Sequence, residues 1–237
     1  MDERQAIDNF DAFPLTAMDK KILSMTDEEY PLTSWSELSD IICISFCTFP
    51  IPPFSYSDEE KAHNRLEELK RKPSDLRRYL AWSADTKAKY GSITNFVVQE
   101  RLHWQPEPSD AQPGGPPVFE YESEVPFEYP EDFKILRNDW PYGLAHGITH
   151  LCVWTKTPIA TDPATGDVTS ESRSIIEDFV RETFSAPLDA LFGEGQGERN
   201  VLWFKNWVAL QSVRGVDHIH VLLNDVPRHL IDDWTAE

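Results

Sequence analysis

Four short segments in the C-terminal half of the chain are rich in apolar residues, and the last of them alternates between polar and apolar positions, as is typical of β-strands. The segments are residues 133–137, 148–154, 201–204 and 216–223. Between the second and third segments, apolar residues recur at helical spacing at Ile175, Ile176, Phe179, Val180 and Phe184. Ser170 or Ser172 is predicted to cap this helix and Pro187 to end it. The order strand, strand, helix, strand, strand predicts an α+β fold with an antiparallel sheet and a packed helix.

The N-terminal half shows helical spacing instead. Residues 57–60 form a capping box, which predicts an amphipathic helix that runs to about Lys72, where Pro73 stops it. Ser74 is predicted to cap a second helix that ends at Gly91. A third predicted helix carries Ile93, Phe96 and Val97.

A change of composition separates these two halves. Residues 105–132 contain seven prolines and eight acidic residues but no Lys or Arg, which is typical of an extended linker or loop. The sequence therefore predicts an N-terminal helical region over 1–104, a proline-rich acidic linker over 105–132, and an α+β region over 133–237. We expect the three parts to pack together as one unit.

Charge narrows the possible partners. The 237-residue chain has 22 Lys and Arg against 41 Asp and Glu, a formal charge of −19. Nucleic-acid backbones and anionic membranes are bound by clustered cations, so the global charge argues against general binding to either. Residues 57–104 depart from this trend, with ten basic and eight acidic residues. The basic positions within 70–78 could bind a phosphate-bearing ligand or form a solvated helix face.

The sequence also indicates the cellular compartment and the state of the cysteines. No apolar run approaches the roughly 18 residues of a membrane span, and the first residues carry the wrong charge for a secretory signal. We therefore expect a cytoplasmic protein with no membrane partner. Cys43, Cys47 and Cys152 are expected to be buried reduced thiols rather than disulfide or zinc ligands. The sequence does not identify a cofactor.

The segment most informative about chemistry is the last predicted strand. Alternation places His218, His220 and Leu222 on one face of it and Ile219 and Val221 on the other. Two imidazoles on one face can share a ligand. One could attack a phosphorus centre while the other orients it or protonates the leaving oxygen. Alternatively, both could ligate a divalent metal with a third ligand, or both could simply lie on an exposed strand.

A second segment, residues 138–156, places further polar residues beside an apolar strand. Asn138 precedes a Pro-Tyr-Gly turn that contains Tyr142, and His150 lies on the strand that ends near Lys156. We predict that this turn and strand form one wall of the same pocket. Asn138, Tyr142, His150 and Lys156 are therefore candidate substrate-binding residues.

The two segments taken together resemble the histidine-triad superfamily of nucleotide hydrolases and nucleotidyl transferases. The order of turn, apolar strand, helix, Asn, Gln-Ser-Val and alternating histidines is found here over residues 133–223. The resemblance implies that Asn206, Gln211 and Ser212 contact ribose or phosphate. It also implies that His218 is the nucleophile and that His220 protonates the leaving oxygen.

This chain departs from the superfamily pattern in two places. An insertion that contains Arg214 and Gly215 separates Gln211 from the histidine pair. The first of the three alternating histidines is replaced by Val216. A register shift of two residues would instead make His220 the central histidine, with Leu222 at the third position. The sequence therefore leaves open which histidine is central, and whether the site catalyses a reaction or only binds a ligand.

At family level the resemblance covers most of the chain. The blocks at 73–82, 89–93, 100–104, 138–142 and 218–221 resemble the fungal N-acetylglucosamine-induced-protein family, a domain-of-unknown-function family. The fungal arginine-containing cyclodipeptide synthases, which use aminoacyl-tRNA and have an Asp-Asp-x-x-Glu motif, are possible neighbours of this family. The C-terminal sequence Asp232-Asp233-Trp-Thr-Ala-Glu237 approaches that motif with one residue too many.

Three functional hypotheses follow. The first is an enzyme that acts on a phosphorylated or nucleotide-activated small molecule through His218 and His220, as a transferase or hydrolase. The second is a synthase of arginine-containing cyclic dipeptides, the only hypothesis with tRNA as a partner. The third is a sensor that binds a sugar nucleotide without altering it. Walker-type phosphate loops, dinucleotide-binding glycine motifs and Gly-x-Ser-x-Gly elbows are all missing from the sequence.

Overall fold

A computed structural model describes residues 15–42, 65–107, 116–207 and 210–235. The described helices of the N-terminal region are α1 (Ala17–Leu23), α2 (Trp35–Ile42), α3 (Pro73–Tyr90) and α4 (Ile93–Phe96), with a π-helical turn, Val97–Leu102, after α4. The C-terminal region contains strands β1 (Phe133–Arg137), β2 (Ile148–Thr155), β3 (Val201–Phe204) and β4 (Asp217–Asn224). Its helices are α5 (Ser170–Val180), α6 (Ala186–Phe192), α7 (Gln196–Asn200) and α8 (Arg228–Thr235).

The four strands form one antiparallel sheet in the order β1-β2-β4-β3. The predicted α+β class is therefore confirmed, and each predicted strand lies within one residue of the observed one. In the register of β2 and β4, Cys152 lies opposite His220 and Trp154 opposite His218. The two central strands thus bring their polar positions side by side.

Alternation along the strands gives the sheet two different faces. The core face carries Leu151, Val153, Ile219, Val221 and Leu223, which are fully buried against α5, α6 and α8. The histidine face carries Cys152, Trp154, His218 and His220, and the N-terminal helices cover it. Both histidines are buried, so the alternative of an exposed histidine strand is wrong.

The helix after β2 differs from its prediction at both ends. Its cap is Thr169, whose hydroxyl accepts a hydrogen bond from the Ser172 amide at 3.2 Å, rather than Ser170 or Ser172. Pro187 does not end the helix. A proline ring clashes with the carbonyl four residues earlier, but the π-helical turn Arg181–Ser185 widens the helix there. The chain then continues as α6, which ends at Gly193.

The predicted helix up to Lys72 is wrong in its described part. Residues 57–64 lie outside the described residues, Leu66–Glu68 form a 3₁₀ turn, and residues 69–72 are irregular. The Lys70 carbonyl accepts hydrogen bonds from the Gly143 amide and the Tyr30 hydroxyl, so a tertiary contact uses a group that a helix would need.

The next helix begins two residues earlier than predicted. Lys72 caps α3, with Pro73 at its first position, and Ser74 donates to the Asp27 carboxylate. Gly91 ends α3 as predicted, with a φ of 79° that suits glycine.

The described part of the proline-rich segment, residues 116–132, has little regular structure but is not detached. Phe119 packs in the cluster on the histidine side of the sheet, and Phe127 packs in the core-face cluster. Cys152 is a buried free thiol as expected, whereas Cys43 and Cys47 lie outside the described residues. Within the described ranges, no helix has the length and apolar character needed to cross a bilayer.

Candidate functional site

A cleft of about 450 Å³ lies between the histidine face of the sheet and the N-terminal helices. Trp154, His218 and His220 contribute to its floor, while Tyr79 on α3 and Ile93 on α4 line the opposite wall. The side chains of the floor share one face of the sheet because side chains alternate along a strand. Those of the wall come from the apolar faces of the helices. The site therefore depends on contacts between the two halves of the chain.

His218 is fixed in one tautomer. Its Nδ1 lies 3.1 Å from the carbonyl oxygen of Val216, to which it can only donate, so the ring proton is on Nδ1. The ring lies against Trp154, with centroids 4.2 Å apart. The Nε2 lone pair is therefore available, on a ring that lines the cleft.

His220 is tied to its neighbours through both ring nitrogens. Its Nδ1 lies 2.9 Å from Nε2 of His150, on the adjacent strand, and its Nε2 lies 3.0 Å from Nδ2 of Asn206. Asn138 Nδ2 lies 3.4 Å from His150 Nδ1, which can accept from it, and extends the network to the end of β1. The structure thus brings four predicted site residues into one continuous hydrogen-bonded group.

Asn206 connects this group to Tyr142. Its Nδ2 lies 3.2 Å from the Tyr142 hydroxyl, while its buried Oδ1 has no hydrogen-bond partner among the described residues. Side-chain amide orientation is inferred from hydrogen bonding. A half-turn of the amide lets Oδ1 accept from Tyr142 and from His220 Nε2, and it releases Nδ2 to donate to a ligand. In that arrangement His220 carries its proton on Nε2.

Burial keeps the three imidazoles neutral. It lowers the pKa of His218 from 6.5 to about 4, with the Val216 carbonyl opposing the shift and Lys205 adding to it. Burial also lowers the pKa of His150 to about 3, and the charge of Arg71 adds to this effect. The pKa of His220 is lowered well below 6.5, again mainly by burial. Neutral imidazoles are the nucleophilic and metal-binding form.

The remaining predicted residues fall at two places. Gln211 donates through Nε2 to the Asn206 carbonyl at 2.8 Å and so positions that residue, while Ser212 lines the cleft directly. Lys156 does not reach the cleft. Its ammonium lies 3.7 Å from Asp132 and 5.9 Å from the Trp104 ring, beside a separate groove. It follows the last residue of β2, beyond the part of the strand that lines the cleft.

Two cationic groups lie near the histidines: Arg71, which belongs to the basic run proposed above as one that could bind a phosphate-bearing ligand, and Lys205, which the sequence analysis did not identify. Arg71 lines the cleft, and its Nε donates to the Trp140 carbonyl at 3.1 Å. Lys205, at the end of β3, is buried and forms a 3.0 Å ion pair with Asp217 at the start of β4. The basic run around position 71 was a visible signal, but its direction depends on tertiary contacts.

His150, Cys152 and His220 are the described residues best placed to hold a metal ion. Their ligand atoms lie within 4.8 Å of one another, and all three side chains are buried. A soft ion such as Zn²⁺ would suit this donor set. However, it would have to replace the His150–His220 hydrogen bond and deprotonate a thiol whose pKa burial raises. The sequence predicted that any metal ion would be bound by His218 and His220. The structure instead places His220 with His150 and Cys152 as the potential ligands.

The acidic C-terminal residues lie away from the cleft. Helix α8 packs through Ile231 and Trp234 into the core-face cluster, on the opposite side of the sheet from His218. Asp232 forms ion pairs with Arg137 and Arg228. Glu237 lies outside the described residues. Asp232 and Asp233 are therefore not brought to the histidines.

Comparisons with known proteins place the chain in a family. A family model described as "Protein of unknown function (DUF3605)" matches residues 57–224. The chain belongs to this family. It is also 31% identical over 190 residues to N-acetylglucosamine-induced protein 1 of Candida albicans, covering 76% of this chain and 72% of that protein. The family resemblance predicted from the sequence is confirmed.

Two further matches are more distant. An uncharacterized protein of Saccharomyces cerevisiae is 27% identical over 133 residues, which cover 56% of this chain and 60% of the yeast protein. The crystal structure of HTC1 matches with a TM-score of 0.54 at 23% identity, over 86% of this chain and 95% of that one. At this identity the likeness shows the fold alone, which agrees with the α+β architecture.

Proposed function

We propose that the protein is an enzyme that acts on a phosphorylated or nucleotide-activated small molecule, with His218 as the nucleophile. The observation that carries the proposal is the state of His218. The Val216 carbonyl fixes its proton on Nδ1, burial keeps the ring neutral, and the ring lines a cleft large enough for a small molecule. We further propose that the enzyme acts in the cytoplasm.

The proposed reaction has two balanced steps. His218 Nε2 attacks phosphorus, a P–N bond forms, and the P–O bond to the leaving group breaks with its electron pair on oxygen. Water or another hydroxyl compound then attacks phosphorus, the P–N bond breaks, and Nε2 recovers its lone pair. The attacking oxygen gives its proton to His220, which replaces the proton that His220 gave to the leaving oxygen in the first step. The Val216 carbonyl stabilises the cationic ring of the covalent intermediate because it accepts from Nδ1–H.

His220 is the proposed proton donor to the leaving oxygen. With the Asn206 amide turned, His220 carries its proton on Nε2, beside a residue that lines the cleft. His150 donates to His220 Nδ1 in that arrangement and holds the ring in place. The released Asn206 Nδ2 and the Ser212 hydroxyl supply donors for the oxygens of phosphate or ribose, while Tyr142 donates to Asn206 and holds its amide in place.

The test is a substrate panel with purified protein. Sugar nucleotides, dinucleoside polyphosphates and nucleoside phosphoramidates are incubated with the wild type and followed by phosphorus NMR. The proposal predicts turnover of at least one class and an acid-labile phosphate or nucleotidyl group on His218, located by peptide mass spectrometry. His218→Ala should lower turnover by on the order of a thousandfold or more while ligand binding persists.

A matched control separates this role from general damage. His229 is exposed on α8, beyond the core face, and His229→Ala should leave turnover unchanged. Unchanged turnover in a folded His218→Ala variant would exclude His218 as nucleophile. A compound that raises the melting temperature of the wild type but is recovered unaltered would favour the sensor hypothesis instead.

A further inference from the structure

We propose that Arg71 binds a second phosphate group, so that the substrate carries a diphosphate rather than a single phosphate. The inference rests on the proposed function, because it assumes that the first phosphate lies at His218. It adds a binding residue to the cleft and narrows the substrate to diphosphate esters, such as nucleoside diphosphate derivatives.

Arg71 is held firmly without an acidic partner. Its Nε donates to the Trp140 carbonyl, and its guanidinium carbon lies 4.0 Å from the centre of the Tyr79 ring. Among the described residues, neither terminal nitrogen has a hydrogen bond and no carboxylate forms an ion pair with Arg71. The guanidinium is therefore held in place while its two terminal nitrogens remain available as donors. This arrangement suits bidentate contact with phosphate oxygens.

The neighbouring cations do not share this state. Lys70 forms an ion pair with Asp19 at 3.4 Å, and Lys72 with Asp27 at 3.6 Å. Arg78 lies 3.4 Å from Asp75. Arg77 also lacks a carboxylate partner among the described residues, but its terminal nitrogen donates to the carbonyls of Leu23 and Met25. Within this basic run, Arg71 is the described cation whose terminal nitrogens have neither an ion pair nor a hydrogen bond. A partly buried unpaired charge is costly, and an anionic ligand would offset that cost.

The position of Arg71 separates its anion from the one at His218. Arg71 and His220 lie near the same ring, Tyr142, with its centroid 6.0 Å from the guanidinium carbon and 6.4 Å from the His220 centroid. His218 lies next to His220, 5.1 Å between centroids, and among the described residues its ring does not contact Tyr142. We therefore place the two phosphates at separate positions, one at His218 and one at Arg71, linked as a diphosphate.

Inorganic pyrophosphate and inorganic phosphate are the probes that test this inference without requiring turnover. Affinities are measured by calorimetry for the wild type, Arg71→Gln, Arg71→Lys and Arg78→Gln. The wild type should bind pyrophosphate at least about tenfold more tightly than phosphate, because charged hydrogen bonds of this kind contribute that much or more. Arg71→Gln should lose this preference while its affinity for phosphate changes less than about twofold.

The other two variants separate binding from folding. Arg78 is an exposed arginine on α3 that does not line the cleft, and Arg78→Gln should keep the wild-type preference. Arg71→Lys keeps the charge but loses the fork, so its preference should be intermediate; it decides the matter if Arg71→Gln does not fold. An equal preference in wild type and either Arg71 variant would overturn the inference.

The outcome is independent of the catalytic test. His218→Ala should retain the preference for pyrophosphate, since Arg71 is unchanged in that variant. Loss of turnover with a preserved preference would support both proposals. If the preference for pyrophosphate depends on Arg71 but the protein turns over no substrate, the phosphate subsite would be supported and the proposed enzymatic activity would be contradicted.

Discussion

On the core face of the sheet, Leu151, Val153 and Ile219 pack against helices of the C-terminal region, whereas on the histidine face Trp154 and His218 line a cleft. The residues of the two faces alternate along the same strands. The core face is closed by elements close in sequence, and the histidine face by helices from the other half of the chain. Stability and chemistry are thus assigned to opposite sides of one sheet.

The polar groups of the histidine face remain buried because they satisfy one another. His150, His220 and Asn206 are each almost completely shielded from solvent, and hydrogen bonds join them in sequence. A buried polar group without a partner costs about 1–3 kcal/mol. The core face has no such requirement, so we expect substitutions on the two faces to differ both in size and in kind.

The largest expected effect is on the core face. Phe184 is fully buried, and its ring lies 5.0 Å from that of Trp234. Phe184→Ala should lower the free energy of unfolding by about 3–5 kcal/mol, because it removes apolar contacts and leaves a cavity. Phe192, nearby on α6, is 46% exposed, and Phe192→Ala should cost less than about 0.5 kcal/mol. Urea unfolding followed by tryptophan fluorescence measures both; similar costs would contradict the assignment of Phe184 to the core.

The alternation that separates the two faces is visible in the sequence, which is why the strands were predicted to within a residue. The same alternation placed His218 and His220 on one face. What it could not supply was the cover over that face. The irregular stretch before α3 is set by bonds to the Lys70 carbonyl from Gly143 and Tyr30, far away along the chain.

Helix continuity was also beyond local reasoning. Pro187 is a reliable helix breaker only if the preceding turn is an ordinary α-turn, and here a π-helical turn accommodates its ring. The inward direction of Arg71 likewise follows from the irregular path of residues 69–72 rather than from the charge pattern. Local patterns therefore predicted the sheet and its polar face, but not the contacts that turn that face into a cleft.

The next largest effect is the pH dependence of stability that the histidine face imposes. The pKa of His218 is about 4 in the folded protein and about 6.5 when unfolded. Between those values the unfolded chain binds a proton that the native state does not, so stability falls as pH falls. Each such histidine contributes about 1.4 kcal/mol per pH unit over this range.

Replacement of His218 by a residue that does not titrate isolates this contribution. The free energy of unfolding of His218→Gln, measured from pH 7 to pH 5, should fall less steeply than that of the wild type. The slopes should differ by about 1.4 kcal/mol per pH unit below pH 6.5. Phe192→Ala, which replaces an exposed side chain that does not titrate, should keep the wild-type slope. Identical slopes in the wild type and His218→Gln would mean that the native state protonates His218 as readily as the unfolded chain does.

The smallest expected effects come from helix caps on the two sides of the sheet. Thr169 accepts a hydrogen bond from the Ser172 amide at the start of α5, which packs on the core face. Ser92 accepts one from the Asn95 amide at 3.0 Å at the start of α4, whose Ile93 lines the cleft. Thr169→Ala and Ser92→Ala should each cost about 1 kcal/mol, because each leaves an amide at a helix start without its partner.

These equal costs should appear at different places. Hydrogen exchange followed by mass spectrometry should show faster exchange over residues 93–102 in Ser92→Ala, with the core-face strands still protected. In Thr169→Ala the faster exchange should lie over residues 170–180, and the wall of the cleft should be unaffected. If Ser92→Ala instead loosened the core face as much as the cleft wall, the two sides of the sheet would unfold as one unit. Their separation would then be a matter of chemistry alone and not of stability.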